Sequence, residues 1–519
     1  MNTETTPIAA AVAKAFLPSP QQQDFFNWIV NGTGSCILEA VAGAGKTTTL
    51  IEGVKLMTGR IFVGAFSSDI NKEIGARLEK KPGLFNGTMH SFGFSCLRKA
   101  YKNIIVEGGK LNSIWNETVT RYPEYVALGG SVLKLVSLAK QAALGVDTRL
   151  RDPKPWLELI DHYDIETFSL SDDGDVENDK TELLIKLSMK LLEVSNSQIH
   201  ERVDYDDMVY GPLIHNLDIY KHNWVLVDEA QDTNKARRLL ALRMLYRNGR
   251  LVAVGDPKQA IFGFTGADAD SLNRIAEDTN AIRLPLSITY RCPKAVVAYA
   301  QQWVSHIQAG DTAPDGIVRD DVIENLLTVA RPGDVVLCRL SKHLVANVYN
   351  FIRAGIPAKI EGRAIGEGLA KLAKRWKVKS FTALRDKLLA YKEREVAKYI
   401  AKEEESKAVM VEDMVSCLMI IVDRVEQLKP NTKTPVQDVV AEIERLFENT
   451  TDENSKTKSE NIVILSTIHK AKGREWQRVI WLFTGPSPWA KKEWEMEQEV
   501  HLNYVAATRS KFELVIIYV

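Results

Sequence analysis

Eight short, continuously apolar runs constrain the architecture of this 519-residue chain more than any other feature. They are CILEA (36–40), RIFVGAF (60–66), WVLVDEA (224–230), LVAVGD (251–256), DVVLCRL (334–340), IVILSTI (462–468), RVIWLF (478–483) and ELVIIYV (513–519). None alternates apolar with polar residues. A strand that is apolar on both sides is one covered on both sides, as in a parallel sheet flanked by helices. Helix-patterned segments separate the runs, so the predicted class is α/β, with ligands bound beyond the strands' C-terminal ends. A chain of this length exceeds one core. The strand distribution predicts two similar parallel-sheet cores in tandem, each with a mainly helical insertion. The first core comprises 1–100 and 201–284 with insertion 101–200, and the second comprises 285–363 and 459–519 with insertion 364–458.

Composition excludes several classes. Apolar content of 45% and charged content of 26% are those of a soluble globular protein. No run of about 18 apolar residues is present, so no membrane span is expected. The N-terminal stretch lacks a basic start followed by a clean apolar segment, so no signal peptide is read. The five cysteines are scattered without a CxxC pair, which indicates neither zinc nor an iron–sulfur cluster and fits a reducing cytosol. The 67 basic and 67 acidic residues balance, which argues against a protein that coats nucleic acid. A local basic groove is still compatible, since KLAKRWKVK (371–379) is basic and SDDGDVEND (171–179) acidic.

The stretch AVAGAGKT (40–47) follows a buried run and precedes a helix-like segment. This is a phosphate-binding loop with Ala40 in place of the usual first glycine. Its glycines let the amides of Ala42, Gly43, Ala44 and Gly45 wrap phosphate at a helix N-terminus that continues through Thr48. Lys46 reaches the β- and γ-phosphates, and the Thr47 hydroxyl suits Mg²⁺. In VLVDEAQD (225–232) a strand delivers Asp228, suited to the same ion, and Glu229, suited to activate water. ATP and Mg²⁺ are therefore the expected cofactors. LVAVGDPKQAIFGFTGAD (251–268) ends a third strand at Asp256 and Gln259, with Gln259 facing the γ-phosphate or attacking water, and then carries Phe262 and Phe264 in a loop.

These motifs belong to an ordered series: SPQQQDFF (19–26), AGAGKTTTL, AFSSDINKEI (65–74), TMHSFG (88–93), VDYDDMV (203–209), LVDEAQDTN, GDPKQAIFGFTGA, ITYRCP (288–293), GIPAKIEG (355–362), STIHKAKGREWQRVI (466–480) and NYVAATRS (503–510). The series resembles that of a superfamily 1 DNA helicase of the UvrD/Rep/PcrA type. The resemblance implies two RecA-like motor cores and a compact ATP-dependent 3′→5′ DNA helicase that translocates on single-stranded DNA and unwinds duplex in replication, repair or recombination. A translocase that strips bound proteins without processive unwinding is the alternative. By the same resemblance Gln22 (or Gln21) reads adenine, although SPQQQ is also a good helix start. Tyr290 stacks on the base, Arg291 touches the γ-phosphate, Glu475 binds the ribose, and Arg509 is an arginine finger from the second core.

For the nucleic-acid track the resemblance implies Phe66, His90, Phe264 and His469, with Arg339 on the backbone. Phe66 also fits core packing and His90 a satisfied core histidine. Phe264 stands where the family usually has tryptophan, and Thr265 where it commonly has arginine. The expected partners are single-stranded DNA and single/double-strand junctions, together with replication or recombination proteins; RNA is not excluded. The expected location is cytoplasmic, on the nucleoid in a bacterial or phage setting or nuclear in a eukaryotic one. The chain ends on a strand shortly after Arg509, and no appended nuclease domain is expected.

Overall fold

The computed structural model describes residues 16–65, 68–165, 167, 180–263, 266–268, 270–361, 363–401, 405–447, 462–485 and 492–519. Twelve strands form two six-stranded sheets. The first contains β1 (Cys36–Ala40), β2 (Ile61–Ala65), β3 (Leu84–Thr88), β4 (His222–Val227), β5 (Leu245–Gly255) and β6 (Ile282–Leu286), in the order β3-β2-β4-β5-β1-β6. The second contains β7 (Ile317–Asp321), β8 (Val335–Cys338), β9 (Ala358–Glu361), β10 (Val463–Thr467), β11 (Trp476–Phe483) and β12 (Ser510–Tyr518), in the order β7-β12-β11-β8-β10-β9. Every pairing within both sheets is parallel. The protein is α/β with tandem parallel sheets, as the apolar runs require.

The register explains why three distant motifs meet. β5 lies between β4 and β1, pairing Leu251 with Val225 and Val252 with Cys36. The loops after β1, β4 and β5 therefore leave the same edge side by side. They carry Lys46, Asp228–Glu229 and Asp256–Gln259 respectively. β6 pairs with β1 on the other side and leads into Thr289–Arg291.

The two helical regions pack differently. The helices Lys110–Arg121, Gly129–Gln141, Pro153–His162 and Thr181–Ser197 enclose their own apolar cluster, with Trp115, Leu135, Trp156, Leu184 and Leu192 inside it. Two fully buried lysines tie that region to the first core. Lys140 Nζ lies 2.5 Å from Asp204 and 2.7 Å from Asp207, and Lys110 Nζ lies 2.7 Å from Asp207. The helices Phe381–Ala401, Glu405–Leu428 and Pro435–Leu446 instead share a cluster with one face of the second sheet, Leu384, Leu418 and Ile443 joining Val336, Ile480 and Ile517. Between the two sheets one cluster runs without a break, from Val254 and Leu286 through Tyr504 to Leu337, Trp481 and Leu514. The cores thus meet through buried apolar surface, and the polar contacts at the cleft are held within it. No helix among the described residues is long and apolar enough to cross a membrane.

Candidate nucleotide and nucleic-acid site

The phosphate loop turns sharply between β1 and the helix Lys46–Leu56. Gly43 and Gly45 adopt φ of +73° and +77°, a region that a side chain makes costly. At Gly43 space is also short, because a Cβ there would fall 2.5 Å from the Arg291 Cβ. The Tyr290 amide donates to the Gly43 carbonyl at 2.9 Å, so the segment after β6 is pinned to the loop. The Ala42 amide donates to the Tyr504 hydroxyl of the second core at 2.9 Å. The loop is thus already gripped from two sides.

Lys46 Nζ pairs with Glu229 at 2.9 Å, and the Thr47 hydroxyl donates to Asp228 Oδ2 at 3.3 Å. Glu229 sits in the left-handed region at φ +51°, a strained conformation for a non-glycine residue. Burial penalises charge on all these groups. For Lys46 the carboxylates Glu229, Asp228 and Asp256 outweigh it and raise the pKa. For Asp228 burial and the neighbouring Glu229 win and raise the pKa to about 6. Glu229 goes the other way, to about 2, because Lys46, Lys472 and a Gln231 hydrogen bond reverse the burial penalty. Two adjacent carboxylates are thereby made unlike. The hydroxyl of Thr47 and the carboxylate of Asp228 form a hard-oxygen pair that fits Mg²⁺.

From the second core, Arg509 enters the same cleft. It is 1% exposed, and its guanidinium donates to the Gln259 Oε1 at 3.2 Å, to Thr508 and to the carbonyls of Val505 and Arg474. All four acceptors are neutral oxygens. Burial, then the nearby Arg291, lowers its pKa to about 9. An arginine so confined is a ready site for an anion. Gln259 is held in turn by Asp256, its Nε2 donating at 2.6 Å.

Other predicted positions carry specific partners. Gln22 is 3% exposed; it closes a capping box with Ser19, and its amide also donates to Thr49 at 2.8 Å. Gln21 binds Ser287 through both ends of its amide. Thr48 accepts from Arg77 at 2.7 Å. Tyr290 is 57% exposed beside Gly45, its ring open on the loop. Arg291 and Glu475, expected to touch different parts of a nucleotide, pair with each other at 2.5 Å, and Lys511 joins Glu475 at 3.0 Å.

On the track side, Phe66 and Phe264, with Thr265, lie outside the described residues. Phe262 packs near His469, ring centroids 6.4 Å apart. Arg339 is taken by Glu499 at 3.0 Å. His90 lines a polar cavity of 140 Å³ with Lys140, Asp206, Asp232, Asn234 and Arg237. Burial and Arg237 lower His90 to about 4, and burial, Arg339 and Lys472 lower His469 to about 3, so both rings are neutral near pH 7.

Four residues were not singled out from the sequence, three inside the quoted motifs and one, His501, two residues before NYVAATRS. Gln231 joins two strand ends, donating to Glu229 at 2.6 Å and accepting from the Asp256 amide at 3.1 Å. Tyr504 reaches the phosphate loop. Lys472 and His501 cross from the second core to the loop after β5. The membership of Gln231, Tyr504 and Lys472 in VDEAQD, NYVAATRS and the Ile468–Lys472 segment was visible, that of His501 in any motif was not, and which partner each meets is a tertiary fact.

Comparison with known proteins bears on the family of the chain. The UvrD/REP helicase N-terminal domain matches residues 20–280, and the UvrD-like helicase C-terminal domain matches 152–519. The chain is 25% identical over 294 residues to an ATP-dependent DNA helicase PcrA of Staphylococcus epidermidis, covering 53% of this chain and 38% of that protein. It is 25% identical over 302 residues to the ATP-dependent DNA helicase srs2 of Schizosaccharomyces pombe (51% and 32%) and 25% identical over 303 residues to DNA helicase II of Rickettsia typhi (53% and 43%). The matched region thus spans less than half the length of each relative. With two domain profiles matched in order across both sheets, the chain belongs to the UvrD/REP helicase family.

Proposed function

We propose that this chain is an ATP-dependent motor on single-stranded DNA that moves 3′→5′ and separates duplex. The observation that carries this reading is the contact between Arg509 of the second core and Gln259 at the end of β5 in the first. The reacting end of the nucleotide site is completed by both cores, so hydrolysis changes what holds them together.

The chemistry follows from the partners on each side. A γ-phosphate competes with Glu229 for Lys46. Once Lys46 shifts to phosphate, Glu229 loses the charge that most depresses its pKa and becomes a stronger base toward water. Thr47 and Asp228 would hold Mg²⁺, which when bound would neutralise phosphate charge. Arg509 and Arg291 stabilise the charge that builds on the transferring phosphoryl group. Arg291 must leave Glu475 to do so, which frees that carboxylate for a ribose hydroxyl. Tyr290 offers an exposed ring for the base, beside Gly45.

Movement needs a track. Phe262, His469 and His90 lie beyond the ends of β5 and β10 and within the first core, as neutral rings suited to stacking rather than to charge. The test is ATP turnover with and without single-stranded DNA, together with unwinding of 3′- and 5′-tailed duplexes. Strong stimulation and opening of the 3′-tailed duplex are expected. Turnover indifferent to DNA refutes the motor. Stimulated turnover that displaces a bound protein but opens no duplex identifies the stripping activity instead.

A further inference from the structure

The loop after β5 is held from the second core at two consecutive backbone carbonyls. Lys472 Nζ donates to the Gln259 carbonyl at 2.5 Å and to Asp232 Oδ2 at 2.6 Å. His501 Nδ1 lies 3.0 Å from the Ala260 carbonyl. A carbonyl only accepts, so that nitrogen carries the proton. Both side chains are buried, at 9% and 5% exposure. The Lys472 ammonium also lies 4.9 Å from the centre of the Phe262 ring. The loop lies close to the helix Glu493–Ala507: a Cβ on Gly263 would fall 2.0 Å from Gln498 Nε2.

The chain path explains why these residues are suited to transmit motion. β10 and β11 are both parallel to β8, so residues 468–475 must run from the C-terminal edge of the second sheet back to its N-terminal edge. His469 is at the start of that crossing, near Phe262. Glu475 is at its end, on Arg291. Lys472 is between them and grips the loop that joins Gln259 to Phe262. None of the roles proposed above uses Lys472 or His501.

We propose that Lys472 and His501 are positioning residues that clamp the Gln259 and Ala260 carbonyls, so that movement of the second core sets the conformation of the loop carrying Phe262. The clamp rests on the motor reading for its purpose, but its existence can be tested apart from it. The two carbonyls are neutral acceptors; Lys472 also helps hold the Glu229 pKa low, so His501 tests position apart from charge, and hydrogen exchange reports the clamp in either variant. Its loss uncouples DNA binding from turnover and leaves nucleotide affinity intact.

The experiment uses three variants of the full chain. His501→Leu removes the donor. His501→Asn keeps an amide nitrogen near the Nδ1 position. Lys472→Met combined with Asp232→Asn removes the ammonium without stranding a buried carboxylate. Hydrogen exchange of the 256–263 peptide is read first, with thermal melting as the fold control. Exchange is expected to quicken about tenfold in His501→Leu and in the double variant, as for loss of about one net hydrogen bond, and to stay near wild type in His501→Asn. Single-stranded DNA stimulation of turnover is read second. It should fall about tenfold through kcat, at unchanged KM for ATP, in the first and third variants, and be retained in His501→Asn. Unchanged exchange in both disrupted variants overturns the clamp. Quickened exchange with normal stimulation overturns its role in coupling. Wild-type turnover that ignores DNA overturns the motor reading instead. If His501→Leu fails to melt cooperatively, the double variant alone decides.

Discussion

At the scale of single residues, the site is a set of groups already committed to one another. Lys46 holds Glu229, Arg291 holds Glu475, and Arg509 holds Gln259. On the proposed reading a nucleotide exchanges each of these partners, so the pairs set what each substitution is expected to do. Lys46→Ala is expected to abolish turnover and to weaken ATP binding strongly. Glu229→Gln should abolish turnover, by about 10³-fold or more, with ATP binding retained; equal loss of binding in both, read by equilibrium titration, contradicts the assigned roles. Arg509→Ala should slow hydrolysis by about 10²-fold or more and leave single-strand binding within about twofold. Normal turnover in that variant, measured with DNA present, removes the basis for a two-core mechanism. His90 has a pH signature of its own. Its folded pKa of about 4 lies below the unfolded 6.5, so between those values the unfolded chain binds more protons. That contribution to stability is present above pH 6.5 and is lost as pH falls toward 4. In urea unfolding at pH 7 and 4.5, His90→Gln should lose less stability than wild type, by about 1–2 kcal/mol; identical losses rule out His90 as a source.

At the scale of elements, the strands show how far an apolar pattern reads. All eight interior strands correspond to the continuous apolar runs. The four edge strands, β3, β6, β7 and β9, do not, because an edge is covered less completely and its residues are mixed. LFNGT and IVRDD hold only one fully buried residue between them, Gly87, and so carry no run to see. The helical regions were legible as helices, but their attachment was not. The lysine–aspartate cluster that ties the first one down joins residues far apart in the chain, on polar side chains that sequence patterning assigns to the surface. Lys110→Met leaves Lys140 as the one cation facing both Asp204 and Asp207, so the buried cluster carries an uncompensated negative charge. It should destabilise the protein by about 3 kcal/mol in chemical unfolding. A change under about 0.5 kcal/mol means that water reaches the cluster.

At the scale of the whole molecule, one apolar cluster crosses the cleft and surrounds the polar contacts there, among them Tyr504 on the Ala42 amide and Lys472 on Gln259. On the proposed motor reading, opening the cleft has to break this packed interface as a unit, so a two-state transition rather than a flexible hinge is expected. The expected readout is directional: a 3′-tailed duplex is opened at least about tenfold faster than a 5′-tailed one at equal ATP. Equal rates, or a 5′ preference, reverse the assigned polarity. The sequence by itself determined the α/β class, the interior strands, the phosphate loop and the family, because local apolar periodicity and short glycine-bearing motifs depend only on neighbours along the chain. Tertiary structure decided the partners. Whether Gln22 caps its helix as well as lying near the loop, whether Arg339 is held by Glu499, and which lysine grips the loop after β5 depend on strand order and on which sheet edges face each other. The contacts of Gln22 with Thr49, Arg339 with Glu499 and Lys472 with Gln259 join residues 27, 160 and 213 positions apart, and no local pattern encodes them.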